Sequence, residues 1–411
     1  MAKLTYPEKN ELERFVAARY RAGWIWQFIF LSALIFAILS LSALILNVID
    51  GAFGYVAYEF KKDPTTISEK PLDELDKEEL IAVLQTNLSR GAYNKLENEK
   101  PMDSRNEGEL YNLVIERIIQ IKTRQTYPLF QSLFEKEAIE AEVKELYPEA
   151  RLEFRSWLTP TFLATPQSSR AEFAGVRTAL LGSIWLVTIA IGFALPVGVG
   201  AAVYLQEYSN KKNIFNRIIQ TNINNLAGVP SIVYGMLGLA IFVRAFEAFT
   251  SGAMFGITDT NGRTILSAGL TMGVLVLPLV IINAQEAIKA VPDSIRQAAF
   301  GVGATRWQTV WSHVLPNALP GILTGSILAM SRAIGETAPL IVVGASTFIT
   351  MDPQSPFTKF TALPIQIYQW TSRAQGEFQA IAAAGILVLL GLLITLNATA
   401  IILRNRFQRR Y

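Results

Sequence analysis

Six apolar stretches, each long enough to cross a bilayer, constrain this chain more than any other feature. A spanning helix needs about 20 residues. Ile25–Val48, Arg177–Tyr204, Leu226–Phe246, Ile265–Ile288, Pro320–Ala345 and Ala380–Leu403 all meet that length. Backbone polar groups in hydrocarbon must be satisfied within the segment, so the expected fold class is an all-α membrane protein with six transmembrane helices. The polar region before the first stretch is long, its apolar part exceeds a signal's short core, and no small-residue cleavage site follows. An uncleaved anchor is therefore expected there.

Composition narrows the function classes. The 411 residues are 51% hydrophobic and only 17% charged, whereas about a quarter of residues are charged in an ordinary soluble domain. There is no cysteine, which removes disulfides, thiolate metal sites and cysteine nucleophiles. A single histidine, His313, makes no metal or acid–base cluster. No G-x-x-x-x-G-K-[ST] loop occurs: "GVGATRWQT" offers glycines without the lysine. Neither an internal repeat nor a nucleic-acid partner is indicated.

Charge sets the orientation. Residues 50 to 170 hold 22 of the 34 acidic residues, so the rest of the chain is distinctly basic. Lys3, Lys9, Arg14, Arg19 and Arg21 precede the first stretch, and Arg404, Arg406, Arg409 and Arg410 follow the last. Lys211, Lys212 and Arg217 follow the second, and Lys289, Arg296 and Arg306 the fourth, while the alternate loops are sparser. The positive-inside bias then places both termini in the cytoplasm. The expected layout is a cytoplasmic segment 1–24, a first span 25–48, an exterior insertion 49–170, and a core 171–411 with five spans. The insertion reads as mainly helical: in "EGELYNLVIERIIQI" Leu110, Val114, Ile118 and Ile121 recur at three- and four-residue steps.

The longest inside loop, about 286–317, is unusually ordered. Pro292, Asp293 and Ser294 form a helix start, Gly301 and Gly303 stop that helix, Thr305 can cap a second, and Pro316 is expected to end it. Two readings fit this pattern: a knob for a partner's cleft, or an interfacial helix anchored by Phe300, Trp307 and Trp311.

"QAAFGVGATRWQTVWSHVLP" closely resembles the EAA loop of ABC-importer permeases, with Gln297, Ala298, Ala299, Gly303, Leu315 and Pro316 in register. Gln297 replaces the usual glutamate and His313 the usual aliphatic residue. "NLAGVPSIVYGMLGLAIFV", "LVLPLVIINAQEAI", "LPVGVGAAVYLQEY" and "SRAIGETAPL" are similar to the PstA family of phosphate-system permeases. Residues 50 to 150 lie outside that resemblance. It implies the type I ABC-importer permease fold, here with an extra exterior helical domain, in a cell inner membrane. The implied function is that of a non-catalytic subunit of an ATP-driven inorganic phosphate importer. It implies a PstC-like sister permease, a PstB-like ATPase dimer that binds the ATP and Mg, and a PstS-like binding protein. This chain itself would bind no cofactor. The implied ATPase-coupling residues are Gln297, Ala298, Ala299, Gly303, Thr305, Arg306 and Pro316.

The fifth stretch carries two opposite charges where hydrocarbon should reject them. Gly321, Gly325, Ala329 and Ala333 recur every four residues and predict a helix–helix interface. Arg332 and Glu336 form a four-residue step on the adjoining stripe and are expected to meet, facing the bundle interior or a partner. Either they are a structural ion pair fixing helix register, or Arg332 offers a guanidinium fork to a passing anion while Glu336 balances it and Thr337 adds a hydroxyl. An arginine fork suits sulfate or molybdate as well as phosphate. A membrane sensor with an exterior ligand module is a further alternative, against which the ordered loop argues.

Overall fold

The structure, a computed structural model, describes residues 9–68, 70–210, 212–257 and 261–407. Lys3, Lys211, Arg409 and Arg410, used above for orientation, lie outside the described residues. Among the described residues five helices are long and apolar enough to cross a membrane, or six if one bent pair counts as a single span.

Helix α1 (Lys9–Ala52) is one unbroken rod that feeds directly into strand β1 (Phe53–Phe60). Helices α2 (Lys77–Asn87), α3 (Arg90–Glu99) and α4 (Glu107–Val114) follow. Asp76 and Glu79 close a capping box on α2, and Asn106 caps α4. Leu80, Leu84, Met102, Leu110, Val114 and Ile119 form the core of this part. A π-helical turn, Ile115–Ile119, extends α4 until Gln120, at φ 53°, turns the chain into strand β2 (Ile121–Thr126). Helices α5 (Leu129–Phe134) and α6 (Lys136–Leu146), strand β3 (Arg151–Ser156) and the short helix α7 (Pro160–Ala164) complete the module.

The three strands make an antiparallel sheet in the order β2-β1-β3, with a bulge between Ala57 and Tyr58. The chain as a whole is mostly helical, as expected, but helical periodicity does not disclose this sheet. Ile121, expected at the end of a helix, opens β2 instead. A second core joins the sheet to the membrane part, packing Ala52, Val56 and Trp157 with Trp370 and Ile381.

Helix α8 (Arg177–Val203), with a π-helical end at Tyr204–Tyr208, packs along helix α12 (Ile265–Lys289). Glycines allow that approach: a Cβ at Gly198 would come within 2.7 Å of Val280, and one at Gly269 within 2.6 Å of Ile189. Between them the chain forms α9 (Ile214–Leu226), α10 (Ser231–Gly238) with a π-helical extension Leu239–Ala245, and α11 (Glu247–Thr250). The third stretch is thus not one straight helix. Helices α9 and α10 meet at 107°, because Pro230 is extended (ψ 137°) and cannot donate to the turn before it.

Helices α13 (Asp293–Gly301), α14 (Arg306–Thr309), α15 (Leu315–Gly335) and α16 (Ala338–Val343) follow α12. Helices α17 (Leu363–Thr371) and α18 (Gly376–Phe407) end the described chain, and α18 packs beside α1. Pro316 does not end a helix: α14 continues through a π-helical turn, Val310–Val314, into α15, giving one run from Arg306 to Gly335. The widened turn just before Pro316 accommodates its missing N–H. The fifth stretch, conversely, does not reach Ala345 as one helix. Glu336 is extended at ψ 118° and a new helix begins at Ala338. A continuous helix would drive the Pro339 ring into the carbonyl of Gly335, four residues back.

Candidate functional site

The break in the fifth stretch places the charged pair. Arg332 lies in the last turn of α15 and Glu336 just past its end. Arg332 Nε stands 3.5 Å from Glu336 Oε1, the outer limit of a hydrogen bond. Their side chains are 41% and 23% exposed. They do meet, one turn apart, but on the surface of this chain and not in its interior. Thr337, half-buried, is the residue on which α16 starts.

The second broken segment packs against the same place. A Cβ at Gly235 of α10 would lie 2.7 Å from Pro339 Cα, so the two backbones touch with no room for a side chain. Tyr234 beside it is buried and donates from its hydroxyl to the Leu226 carbonyl across the 107° bend. Irregular backbone at membrane depth is tolerated where protein or a water-lined path surrounds it. Arg332, Glu336 and Thr337 lie beside this contact between two interrupted helices.

The small-residue stripe behaves as its spacing predicts. Ala329 and Ala333 are buried. A Cβ at Gly321 would come within 2.8 Å of Ala287, and one at Gly325 would collide with Asn283 of α12. That face locks α15 to α12 and turns Arg332 to the other side. Ser331 donates to Asn397 of α18 at 2.8 Å, fixing the arginine's flank. Arg244 and Glu247 are both exposed near the π-helical end at Ala245 and add nothing to this centre.

The second candidate region is the loop 286–317. Helix α13 starts after Pro292 without a side-chain cap, and Gly303 at φ 84° reverses the chain behind it. Thr305 and Gln308 then form a capping box on α14. Gln297, Ala298, Gly303, Thr305 and Arg306 are exposed along one rim, together with Val302 at 86%. Trp307 and Trp311 stack on each other at 5.5 Å, also exposed. Ala299 is buried and Pro316 half-buried, so these two residues support the rim from within. His313 is exposed on the π-helical turn.

Arg296 holds this loop to the body, a role its reading as one more cytoplasmic charge does not reveal. Its Nη2 and Nε bond Glu207 Oε1 at 2.7 and 3.1 Å, and Nη2 also reaches the Ile288 carbonyl at 3.0 Å. Its Nη1 bonds the Val291 carbonyl at 2.7 Å and Asp293 Oδ1 at 3.1 Å. All five donors are used. Arg296 and Glu207 are only 15% and 13% exposed. One side chain thus ties the π-helical end of α8, the carboxyl end of α12 and the start of α13. The sequence signal for it is a lone glutamate, in "YLQEY", at the end of an apolar stretch.

The chain is 31% identical over 257 residues to the "Probable ABC transporter permease protein YqgI" of Bacillus subtilis, covering 60% of this chain and 83% of that one. It is 32% identical over 242 residues to the "Phosphate transport system permease protein PstA 1" of Mycobacterium tuberculosis, covering 58% and 73%. With the "Phosphate transport system permease protein PstA" of Yersinia pestis it shares 32% identity over 238 residues, covering 57% and 74%. Residues 194–411, more than half of the chain, match a single family description, so α1 and the sheet-bearing module lie outside the match. The chain belongs to the family of binding-protein-dependent transport system inner membrane components.

Proposed function

We propose that this chain is a membrane-spanning permease subunit of an ATP-driven importer of inorganic phosphate, built on the type I importer plan. The observation that carries the proposal is the position of Arg332, exposed on the surface of this chain where two interrupted helices meet. A guanidinium with one long contact to Glu336 keeps most of its donors for an arriving oxyanion. Glu336 balances the charge when the path is empty and competes with the anion when it is occupied. That competition suits passage better than storage. The phosphate assignment draws on the similarity to phosphate transport system permeases.

The partners follow from the same reading. A PstC-like sister permease covers the face bearing Arg332, and a PstS-like protein delivers phosphate outside. A PstB-like ATPase dimer, which binds the ATP and Mg, seats the rim from Gln297 to Arg306. Closure of that dimer moves α13, and Arg296 passes the displacement to α8 and α12. Both termini lie in the cytoplasm and residues 49–170 lie outside, as the loop charges favour.

The test is co-purification with the neighbouring subunits, reconstitution, and ATPase and uptake assays with phosphate, sulfate and molybdate in turn. Stimulation by phosphate alone, with phosphate accumulation, is the expected outcome. Stimulation by sulfate or molybdate without phosphate would keep the permease role and overturn the cargo.

A further inference from the structure

The sheet-bearing module has a cavity that the transport reading does not use. Strand β3 alternates Arg151, Glu153 and Arg155 on one face, opposite Tyr58, Val56 and Gly54 of β1. That face lines a cavity of about 1130 Å3, which reaches Thr350 and Ile381 of the membrane part. Most cations around it are engaged. Lys70 pairs with Glu79 at 2.6 Å, Arg117 with Glu116 at 3.5 Å, and Arg105 donates to the Lys100 and Leu96 carbonyls.

Arg151 and Arg155 differ from these. Among the described residues neither forms an ion pair with a carboxylate. Arg155 lies over the Trp157 ring at 4.7 Å and spends one N–H on the Glu172 carbonyl at 3.3 Å. Arg151 lies over the Phe60 ring at 5.1 Å. Of the two carboxylates that pull on Arg155, Glu172 accepts from the Thr123 hydroxyl at 2.8 Å, while burial and then Glu153 push the Tyr58 hydroxyl's pKa up. Burial pushes the Arg155 guanidinium below its ordinary pKa, against the pull of Glu172 and Glu153. Arg155 is half-buried, so its charge is partly withdrawn from water, and a ligand anion offsets that cost.

We propose that this cavity is a binding site for a small organic oxyanion, a molecule ending in a phosphoryl or carboxylate group gripped by Arg155. A guanidinium laid on an aromatic face keeps an edge free for the bidentate contact that both groups accept. The volume, just above the roughly 300–1,000 Å3 of small-molecule sites, favours an organic ligand over an inorganic ion. Phe60, Tyr58 and Arg151 line the wall along which the organic body extends. The site is independent of Arg332 and of the transport assignment.

The experiment uses the full chain in lipid nanodiscs, titrated by calorimetry with glycerol 3-phosphate, AMP, succinate and inorganic phosphate. Tryptophan fluorescence of the chain and of a Trp157→Phe variant gives a local readout. At least one organic probe should bind and change a signal that Trp157→Phe removes; the phosphate and succinate arms tell phosphoryl from carboxylate ligands. Arg155→Gln should weaken that binding about ten- to a hundredfold, the range for a charge-assisted contact. Arg155→Lys, which keeps the charge and loses the fork, guards against a folding defect and should weaken it several-fold. Arg332→Ala should leave it unchanged. Absence of binding by every organic probe at millimolar concentration would overturn the site, as would binding indifferent to both Arg155 variants. Binding lost in Arg332→Ala but kept in Arg155→Gln would place the anion in the membrane path, overturning this inference and supporting the transport reading.

Discussion

Two arginine–glutamate pairs in this molecule are built to opposite specifications. Arg296 and Glu207 are nearly buried, joined by a 2.7 Å contact, and every donor of the arginine is engaged. Arg332 and Glu336 are far more exposed and share one 3.5 Å contact. A buried pair whose donors are all satisfied holds elements in register and has nothing left for a ligand. A loose pair on an open face fixes little and stays available. The same two residue types therefore make a strut in one place and a candidate anion contact in another, and donor occupancy separates them.

The contrast can be broken by substitution. Arg332→Ala should abolish phosphate uptake, a fall of at least about a hundredfold, while the complex still assembles. Unimpaired transport in vesicles would reduce this pair to a structural pin. Glu207→Ala leaves Arg296 withdrawn from water without its counterion, a change that typically costs about 3–5 kcal/mol. It should lower the thermal stability of the complex and uncouple ATP hydrolysis from uptake. Exchanging the two residues, Glu207→Arg with Arg296→Glu, should recover part of that loss. If Glu207→Ala neither melts earlier nor uncouples, the strut is not a strut. The smallest effect is expected at Gly303→Val. No atom lies within 4 Å of a Cβ there, so the cost is the left-handed backbone alone, about 1–2 kcal/mol. The loop should bind the ATPase subunit more weakly while the membrane part melts as before, and unchanged ATPase stimulation would show that the turn is dispensable.

Much of the architecture is legible in the chain. Apolar length identifies the spans, and four-residue spacing of glycine and alanine identifies the face of α15 that meets α12. A capping threonine, Thr305, identifies the start of α14. Proline is read less well, because its effect depends on its neighbourhood. Pro316 passes inside a helix after a π-helical turn, whereas Pro339 coincides with a full break. The sheet is hidden for a different reason. Its strands are short, and β1 continues directly from a long helix with no turn residues between them.

Sequence by itself determined that the chain crosses a membrane, that the loop 286–317 is ordered, and that Arg332 and Glu336 are neighbours. These follow from local quantities: hydropathy over about 20 residues, caps, and helical spacing. Tertiary structure alone decided which charges are engaged. Glu207 meets Arg296 from 89 positions away in the chain, and Gly235 meets Pro339 from a separate helix. Among the described residues Arg155 forms no ion pair, and the nearby Glu172 carboxylate accepts from the Thr123 hydroxyl. Hydrogen-bond partners at such separations are set by packing, which no local pattern encodes.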